Sequence, residues 1–325
     1  MIHRQGFHHL FRALRYRNYR LYFLGQGVSL IGSWMQSVAM GWLVYRLTRS
    51  AFLLGVTGFA TQIPAFFLGP FAGVWVDRSN RLHMLIVVQT LFMLQAFVLA
   101  FLVLFKSVAM WQIVALCGIA GLVNAFDLPA RQSFVIQMVP DKADLGNAIA
   151  LNSMMFNGAR LIGPSIAGIV VAVAGEGVCF LINAVSFLAV IACLFAMKNV
   201  PRTPPMKGSH VLLELKTGAD YAFGFLPMRS VLFLVAWVSL SGMSYAVLMP
   251  VFAKEVLHGG PHTLGFLMGA TGIGALTGAF FLASRKSAAG LERIIPAAAV
   301  IFGVGLAAVS RSRSVPLSLA VMTVT

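Results

Sequence analysis

Apolar residues run along this chain in long, nearly unbroken blocks, separated by short turns that carry most of the charge. Nine blocks, roughly 19–45, 51–76, 82–105, 109–130, 146–174, 178–197, 227–253, 262–284 and 292–310, are long enough to cross a bilayer as helices, which takes about 20 residues over roughly 30 Å. Several exceed that thickness and predict tilt or extension into water. A tenth run begins at Val315 and reaches only Thr325, too short to span. Ahead of the first block, within segment 1–18, Phe7, Leu10, Phe11 and Leu14 fall at i, i+3, i+4 and i+7 with Arg12, Arg15 and Arg17 between or beside them, which predicts an amphipathic cytoplasmic helix on a membrane surface. The longest hydrophilic stretch, 198–226, opens on the turn-rich PRTPPMKGS. It continues with Leu212, Leu215, Ala219 and Ala222 on one helical face, which predicts a surface helix. This linker separates six spans over 19–197 from three spans and part of a fourth over 227–325. The pattern therefore predicts an all-α, polytopic membrane protein: a six-helix N-terminal bundle and an incomplete second half.

Composition agrees: 59% of residues are hydrophobic and 10% charged, against about a quarter charged in soluble domains. The basic N-terminus leads into a run too long for a signal peptide's apolar core, so it reads as a first span. With the N-terminus inside, 17 of the 24 Lys and Arg residues fall on cytoplasmic segments and six on external loops, as the positive-inside rule requires. Arg160 is the remaining one. The net charge of +15 is then mostly a feature of the inner leaflet, and no solvent-facing basic domain is long enough to bind nucleic acid. Cys117, Cys179 and Cys193 lie in apolar runs without CxxC or CxxH spacing and read as packing residues.

Enzyme signatures are missing. There is no HExxH, Walker A loop, paired cysteine ligand set or GxSxG elbow, so neither a metal nor any other cofactor is implied. GATGIGALTGAF (269–280) imitates a dinucleotide loop, but its third glycine comes one residue late and no strand precedes it. Gly265/Gly269 and Gly274/Gly278 instead form GxxxG pairs, which let helices approach closely in lipid.

Two polar stretches stand out. GVWVDRSNRLHML runs from Gly73 to Leu85 between the second and third blocks; Gly69 and Gly73 form a further GxxxG pair, Asp77 and Arg78 sit at the membrane edge, Asn80 occupies a turn position and Arg81 follows. A short cationic connector would explain the arginines, but an aspartate among them weakens the charge bias without aiding insertion. The second stretch, NGARLIGPSIAG (157–168), puts Asn157, Arg160 and Pro164 inside an apolar block.

These stretches resemble signatures of the major facilitator superfamily. Gly73-x-x-x-Asp77-Arg78-x-x-Arg81 is similar to its cytoplasmic loop signature between helices two and three, with Asn80 replacing the usual glycine and Leu82 a usual basic residue. Gly158-Ala-Arg-Leu-Ile-Gly163-Pro164-Ser-Ile-Ala-Gly168 resembles the glycine–proline signature of helix five that is typical of antiporters, with the last glycine pair reduced to Ala167-Gly168. NAFDLPARQSF (124–134) and NAIALNSMMFNGAR (147–160) resemble a subgroup that includes the enterobactin exporter and macrolide efflux permeases. The resemblance implies twelve helices in two halves, alternating access, and a helix five that seals or bends during the cycle. Two departures follow. No arginine occurs in 109–126, where the superfamily often has one in helix four, and the length implies a C-terminally truncated chain.

Arg160 lies about ten residues into its block, ~15 Å deep, where an arginine costs at least ~2.5 kcal/mol. It is either a substrate or coupling residue in a water-filled cavity or a structural hydrogen-bonding strut. Asn157 and Asn152 extend a polar stripe from it, and Gly158, Gly163, Pro164 and Gly168 form a candidate hinge, since proline removes a helical hydrogen bond. Gln36, Gln62 and Trp34 are further cavity candidates; the row Ser29, Ser33, Ser37 beside Gln26 and Gln36 is either cavity lining or close helix packing. Asp127 and Arg131, one turn apart with Pro129 between them, predict a helix disruption and form either a surface ion pair or a cytoplasmic latch. The candidate inner gate is Gly73, Asp77, Arg78, Arg81, Asp127 and Arg131. Asp127 is also the deepest carboxylate and so the first candidate for carrying a proton.

The sequence thus reads as a bacterial-type inner-membrane secondary transporter, multi-pass with a cytoplasmic N-terminus. The expected activity is export of a small organic molecule (drug-, siderophore- or metabolite-like) in exchange for protons. Its partners are that substrate, protons and the lipid bilayer; the pattern sets no oligomeric state. The alternative is a truncated, non-transporting membrane protein that acts at most as a binding or assembly partner. Topology is testable: single cysteines at positions 106 and 176 are expected to react with an impermeant thiol reagent from outside, and cysteines at 80 and 208 are not. The reverse pattern overturns the orientation.

Overall fold

The computed structural model describes residues 11–200, 211–242, 244–284 and 291–324, and every regular element among them is helical. A 3₁₀ turn, Arg12–Arg15, leads into α1 (Arg17–Thr48), α2 (Ala51–Asp77), α3 (Arg81–Leu104), α4 (Met110–Met138), α5 (Lys142–Ala174) and α6 (Glu176–Phe195). After the linker come α7 (Val211–Gly224), α8 (Leu226–Gly242) and α9 (Ser244–Val251), the last running into a π-type turn, Phe252–Val256; then α10 (Pro261–Ser284), α11 (Leu291–Arg311) and α12 (Val315–Val324). The first ten residues lie outside the described ones, and with them Phe7 and Leu10 of the expected amphipathic helix.

Turn chemistry sets the helix ends. The Ser50 hydroxyl accepts from the Leu53 amide at 3.3 Å, the Asn80 side chain from His83 at 3.2 Å and the Asp141 carboxylate from Ala143 at 2.9 Å, each satisfying an orphan donor of a first turn. Asn80, read from the sequence as a turn residue, thus serves as an N-cap with φ −70°. α5 stops at Gly175, whose φ of +85° suits glycine.

Among the described residues eight helices are long and apolar enough to cross a membrane, against nine blocks read from the sequence. The difference is α1, whose row of glutamines and serines lowers its apolarity although its 32 residues exceed the required length. Pro129 causes no break. α4 continues through it to Met138 because Phe134, Val135 and Met138 are buried beyond it and hold the last turns in place. α5 likewise runs unbroken through Pro164.

α1 packs along α5 and α6, α2 along α4, and α3 along α4 and α6. Their buried side chains form two cores. One, at the basic end, contains Tyr19, Tyr22, Val76, Leu85, Phe134 and Phe187 and draws only on residues before the linker. The other, at the opposite end, joins Leu43, Leu99, Ile113 and Phe180 to Met249, Ala253, Leu264 and Leu267 from beyond the linker. Among the described residues the core that the two sets of helices share lies at this second end. The Tyr45 hydroxyl donates to Glu255 at 2.9 Å there, and Gly41 and Gly58 bring α1 and α2 against Pro250 and Val247. Glu176, at the same end, is buried in a two-bond contact with Arg46 at 2.7 and 3.2 Å, so of the two external labelling positions only the exposed position 106 gives a clean test.

The closest seam between the two sets joins α5 to α10, antiparallel. A Cβ on Gly168 would lie 3.0 Å from the Gly265 Cα, one on Gly265 would overlap the Pro164 carbonyl and sit 2.7 Å from the Gly168 Cα, and one on Gly272 would meet the Leu161 Cα at 2.5 Å. The glycines that imitated a dinucleotide loop are thus packing positions, apart from Gly278, which faces open space like Gly69, Gly73 and Gly158. The obstacles at Gly265 are backbone atoms that cannot swing aside, so overpacking there costs about 1–3 kcal/mol. Gly265→Val is expected to lower the thermal unfolding midpoint in detergent, while Gly278→Ala leaves it unchanged; equal midpoints for the two variants would mean the seam is not close-packed.

Candidate functional site

The α5–α10 seam runs from Gly168 down to Leu161, and the next residue toward the basic end is Arg160. The core shared by the two sets lies on the far side of this point, and Arg160 follows the last of the glycine contacts toward the basic face. It is 18 residues from Lys142 and 14 from Ala174, near the middle of α5.

Its nearest aromatic partner is fixed by a glycine. A Cβ on Gly163 would lie 2.6 Å from the Trp34 Cβ and 2.8 Å from the Ile31 carbonyl, so α1 and α5 touch backbone to backbone less than one turn above Arg160. That contact places the Trp34 ring 5.8 Å from the Arg160 guanidinium carbon, within cation–π range. Phe156, one turn below Arg160 and 44% exposed, meets Trp34 edge to face at 5.8 Å and 69°. The result is one positive charge backed by two aromatic rings. The Asn157 amide donates back along α5 to the Ser153 carbonyl at 2.9 Å and the Ser153 hydroxyl at 3.4 Å, so these donors do not point at Arg160. Asn152 is half-buried farther down the same face.

Gln36 belongs to a different group. Its amide donates to Gln95 on α3 at 3.0 Å and accepts from Asn183 on α6 at 2.8 Å; the Gln95 amide reaches the Leu116 carbonyl of α4 at 3.5 Å, and the Ser186 hydroxyl donates to the Asn183 side-chain oxygen at 3.2 Å. This network ties four helices on the side of α1 turned away from Trp34. Sequence reading missed Gln95 and Asn183, although an amide within an apolar block was the available signal. Gln62 is exposed on α2, one turn beyond the Gly58 that meets Val247, and so on the face turned toward the second set of helices.

The candidate gate residues fall into two groups at the basic end. In the first, Asp77 is half-exposed; Arg81 and the Ser133 hydroxyl each approach it at 3.5 Å, and Arg81 also reaches the Ser133 carbonyl at 3.5 Å. These long contacts join the α2–α3 turn to α4. Arg78 caps α2, its amide donating to the Trp75 carbonyl at 3.2 Å. In the second group, Asp127 is buried, ion-paired with Arg131 and bonded by the Gln89 amide at 2.9 Å. Asp77 and Arg131 thus lie near one helix end with separate partners. Ser133, Gln89 and Tyr22, which bears on the second group, were not singled out from the sequence. Among the described residues no three His, Cys, Asp or Glu side chains gather as a metal site would need.

Residues 9–325 match the family described as transmembrane secretion effectors. The chain is 25% identical over 289 residues to the staphyloferrin A transporter of Staphylococcus aureus, covering 88% of this chain and 72% of that protein. It is 24% identical over 298 residues to the multidrug efflux pump Tap of Mycolicibacterium fortuitum, covering 89% and 72%. Over 163 residues it is 24% identical to macrolide efflux protein A of Streptococcus pyogenes, covering 49% of this chain and 40% of that protein. Among solved structures, an inward-facing, occupied bacterial homologue of the human lysosomal transporter Spinster superposes with a TM-score of 0.62 at 14% identity, covering 95% of this chain and 71% of that one.

Proposed function

The chain belongs to the transmembrane secretion effector family of major facilitator permeases, and from that membership we propose that it exports a small organic molecule across a bacterial cell membrane in exchange for protons. It is a secondary transporter and not an enzyme; the direction, the coupling ion and the substrate are the proposal. The observation that carries it is the Arg160 group beside the glycine seam, backed by Trp34 and Phe156. A guanidinium near the middle of an apolar bundle is stable only against water or a partner, and with the seam packed above it a ligand would meet it from the side of the basic face.

Alternating access then has a physical basis. The shared core and the glycine contacts lie toward the end opposite the basic face, which supports reading this state as one open toward the basic face. With the basic face cytoplasmic, a molecule enters from the cytoplasm, rests against Arg160, Trp34 and Phe156, and leaves outward when the seam parts and the basic ends close. Arg160 is too strong a base to carry the proton itself; it holds an anionic group. Gln62 and Asn152 line the route, while Gly163, Pro164 and Gly168 let α5 part from α10. The relatives' names support an exporter of organic molecules and span several chemistries, from a staphyloferrin A transporter to a macrolide efflux protein.

Two outcomes test this reading in proteoliposomes carrying an imposed pH gradient, with carboxyfluorescein as an anionic probe and ethidium as a cationic one. Arg160→Lys is expected to keep partial gradient-driven transport of the anionic probe and Arg160→Gln to reduce it to background, with both proteins inserted at normal levels. Normal transport by the Gln variant makes the charge dispensable, and its absence from the membrane makes Arg160 a strut. Asp77→Asn is expected to slow turnover several-fold with probe affinity unchanged, because its contacts lie in the gate; lost affinity with normal turnover would make Asp77 a binding residue instead.

A further inference from the structure

At the basic end of the first bundle, away from Arg160, lies a polar chamber that transport as described above does not use. Asp127 of α4 is 3% exposed. It ion-pairs with Arg131 one turn along, and one of its oxygens accepts from the Gln89 amide of α3 at 2.9 Å. Three more polar atoms are buried around this pair without a hydrogen-bond partner among the described residues: the hydroxyl of Tyr22, the carbonyl oxygen of Gln89 and Nε of Arg131. Tyr22 and Gln89 are each 1% exposed, and the Tyr22 hydroxyl, from α1, is within electrostatic reach of both Asp127 and Arg131. Buried polar atoms are nearly always paired, and leaving one unpaired costs about 1–3 kcal/mol. Three orphans beside one carboxylate describe a set of partners only partly used in the present protonation state.

We propose that Asp127 is the protonation site through which this chain couples transport to protons, and that Gln89 and Tyr22 are positioned to serve its charged and neutral forms alike. The inference rests on the proton-exchange reading above. In the charged form Asp127 is acceptor-only and receives the Gln89 N–H and the Arg131 guanidinium. A hydronium ion gives its proton to a carboxylate oxygen; an O–H bond forms, water departs, and the acid has become a donor in need of an acceptor. The unused Gln89 oxygen supplies it when the amide turns over by half a rotation, and the Tyr22 hydroxyl accepts or donates as the state requires. Arg131 loses its charge partner in the same step. Its side chain is 17% exposed against 4% for that of Asp127, so it leads from the chamber to the basic-face solvent, where a released guanidinium is hydrated.

The surroundings favour a proton over a metal cation. Facing Asp127 are Arg131 from its own helix, Tyr22 from α1 and the uncharged Gln89 from α3. The charges of the α2–α3 turn, Asp77 and Arg81, are engaged around Ser133, six residues farther along α4. A sodium ion would have to sit beside a fixed guanidinium, and the unpaired Nε is a donor, which no cation accepts. Asp144 and Glu176, the other buried carboxylates among the described residues, lie at helix N-termini against Arg15 and Arg46.

The experiment is an infrared pH titration of the full chain in lipid nanodiscs without substrate. The wild type is expected to show a carboxylic acid C=O band that grows as pH falls. Asp127→Asn should abolish it and take up one proton fewer per chain, Asp127→Glu should keep it at a shifted frequency, and Asp77→Asn should leave it in place. Arg131→Met should move its midpoint to higher pH, since removing a neighbouring positive charge favours the neutral acid; this variant decides the matter if Asp127→Asn does not fold. A band unchanged in Asp127→Asn, a midpoint unmoved in Arg131→Met, or a band displaced when sodium replaces choline overturns the proposal. Proton-driven transport that persists in Asp127→Asn sinks this assignment and spares the exchange reading, whereas wild-type transport indifferent to the pH gradient sinks the exchange reading itself.

Discussion

The close approach of α5 and α10 is the contact on which the rest of the architecture depends. In lipid, helices gain no hydrophobic advantage by meeting, so they associate through packing where small residues let backbones touch. Gly168, Gly265 and Gly272 provide that along one line, and the line stops at Leu161. Arg160 is the next residue of α5 beyond that line, and the shared core lies on its other side.

A second regularity concerns charge. Among the described residues each of the three buried carboxylates is held by an arginine: Asp127 by Arg131, Asp144 by Arg15 and Glu176 by Arg46. Such pairs add little net stability, because desolvation offsets their attraction, but breaking one strands a charge. They fix geometry at the two ends of the first bundle, while Arg160, the charge at mid-depth, has an aromatic neighbour and no carboxylate within ion-pair distance among the described residues.

Most of the fold was legible in the sequence, because hydropathy and turn residues govern a membrane bundle locally. Helix existence and order followed from apolar blocks, whereas the capping roles of Asn80 and Asp141 emerged only from the structure. Pro129 misled: locally it argues for a break, and only burial of Phe134 and Met138 explains why α4 goes on. The site was legible in part. Arg160 and Asp127 announced themselves as charges in apolar runs. Their neighbours did not, since whether Gln36 faces Trp34 or Asn183 depends on helix rotation, which a single sequence leaves open. Tyr22 reads as an ordinary interfacial aromatic until Arg131 and Asp127 are seen beside it.

The start of the chain offers one more consequence. Arg15 and Tyr16 grip Asp144 at 2.7 and 2.9 Å, the Ala13 amide donates to Asn147 at 2.9 Å and the Tyr19 hydroxyl to the Ala148 carbonyl at 2.8 Å. α1 and α5 are thereby clamped at their basic ends and again at Gly163 near their middles. Two rods pinned at two points move together over the stretch between the pins. They swing as a single lever, and the Trp34–Arg160 pair rides on it unchanged, like a fixed jaw. Any difference in grip between the two open states must then come from the moving jaw, the helices beyond the linker.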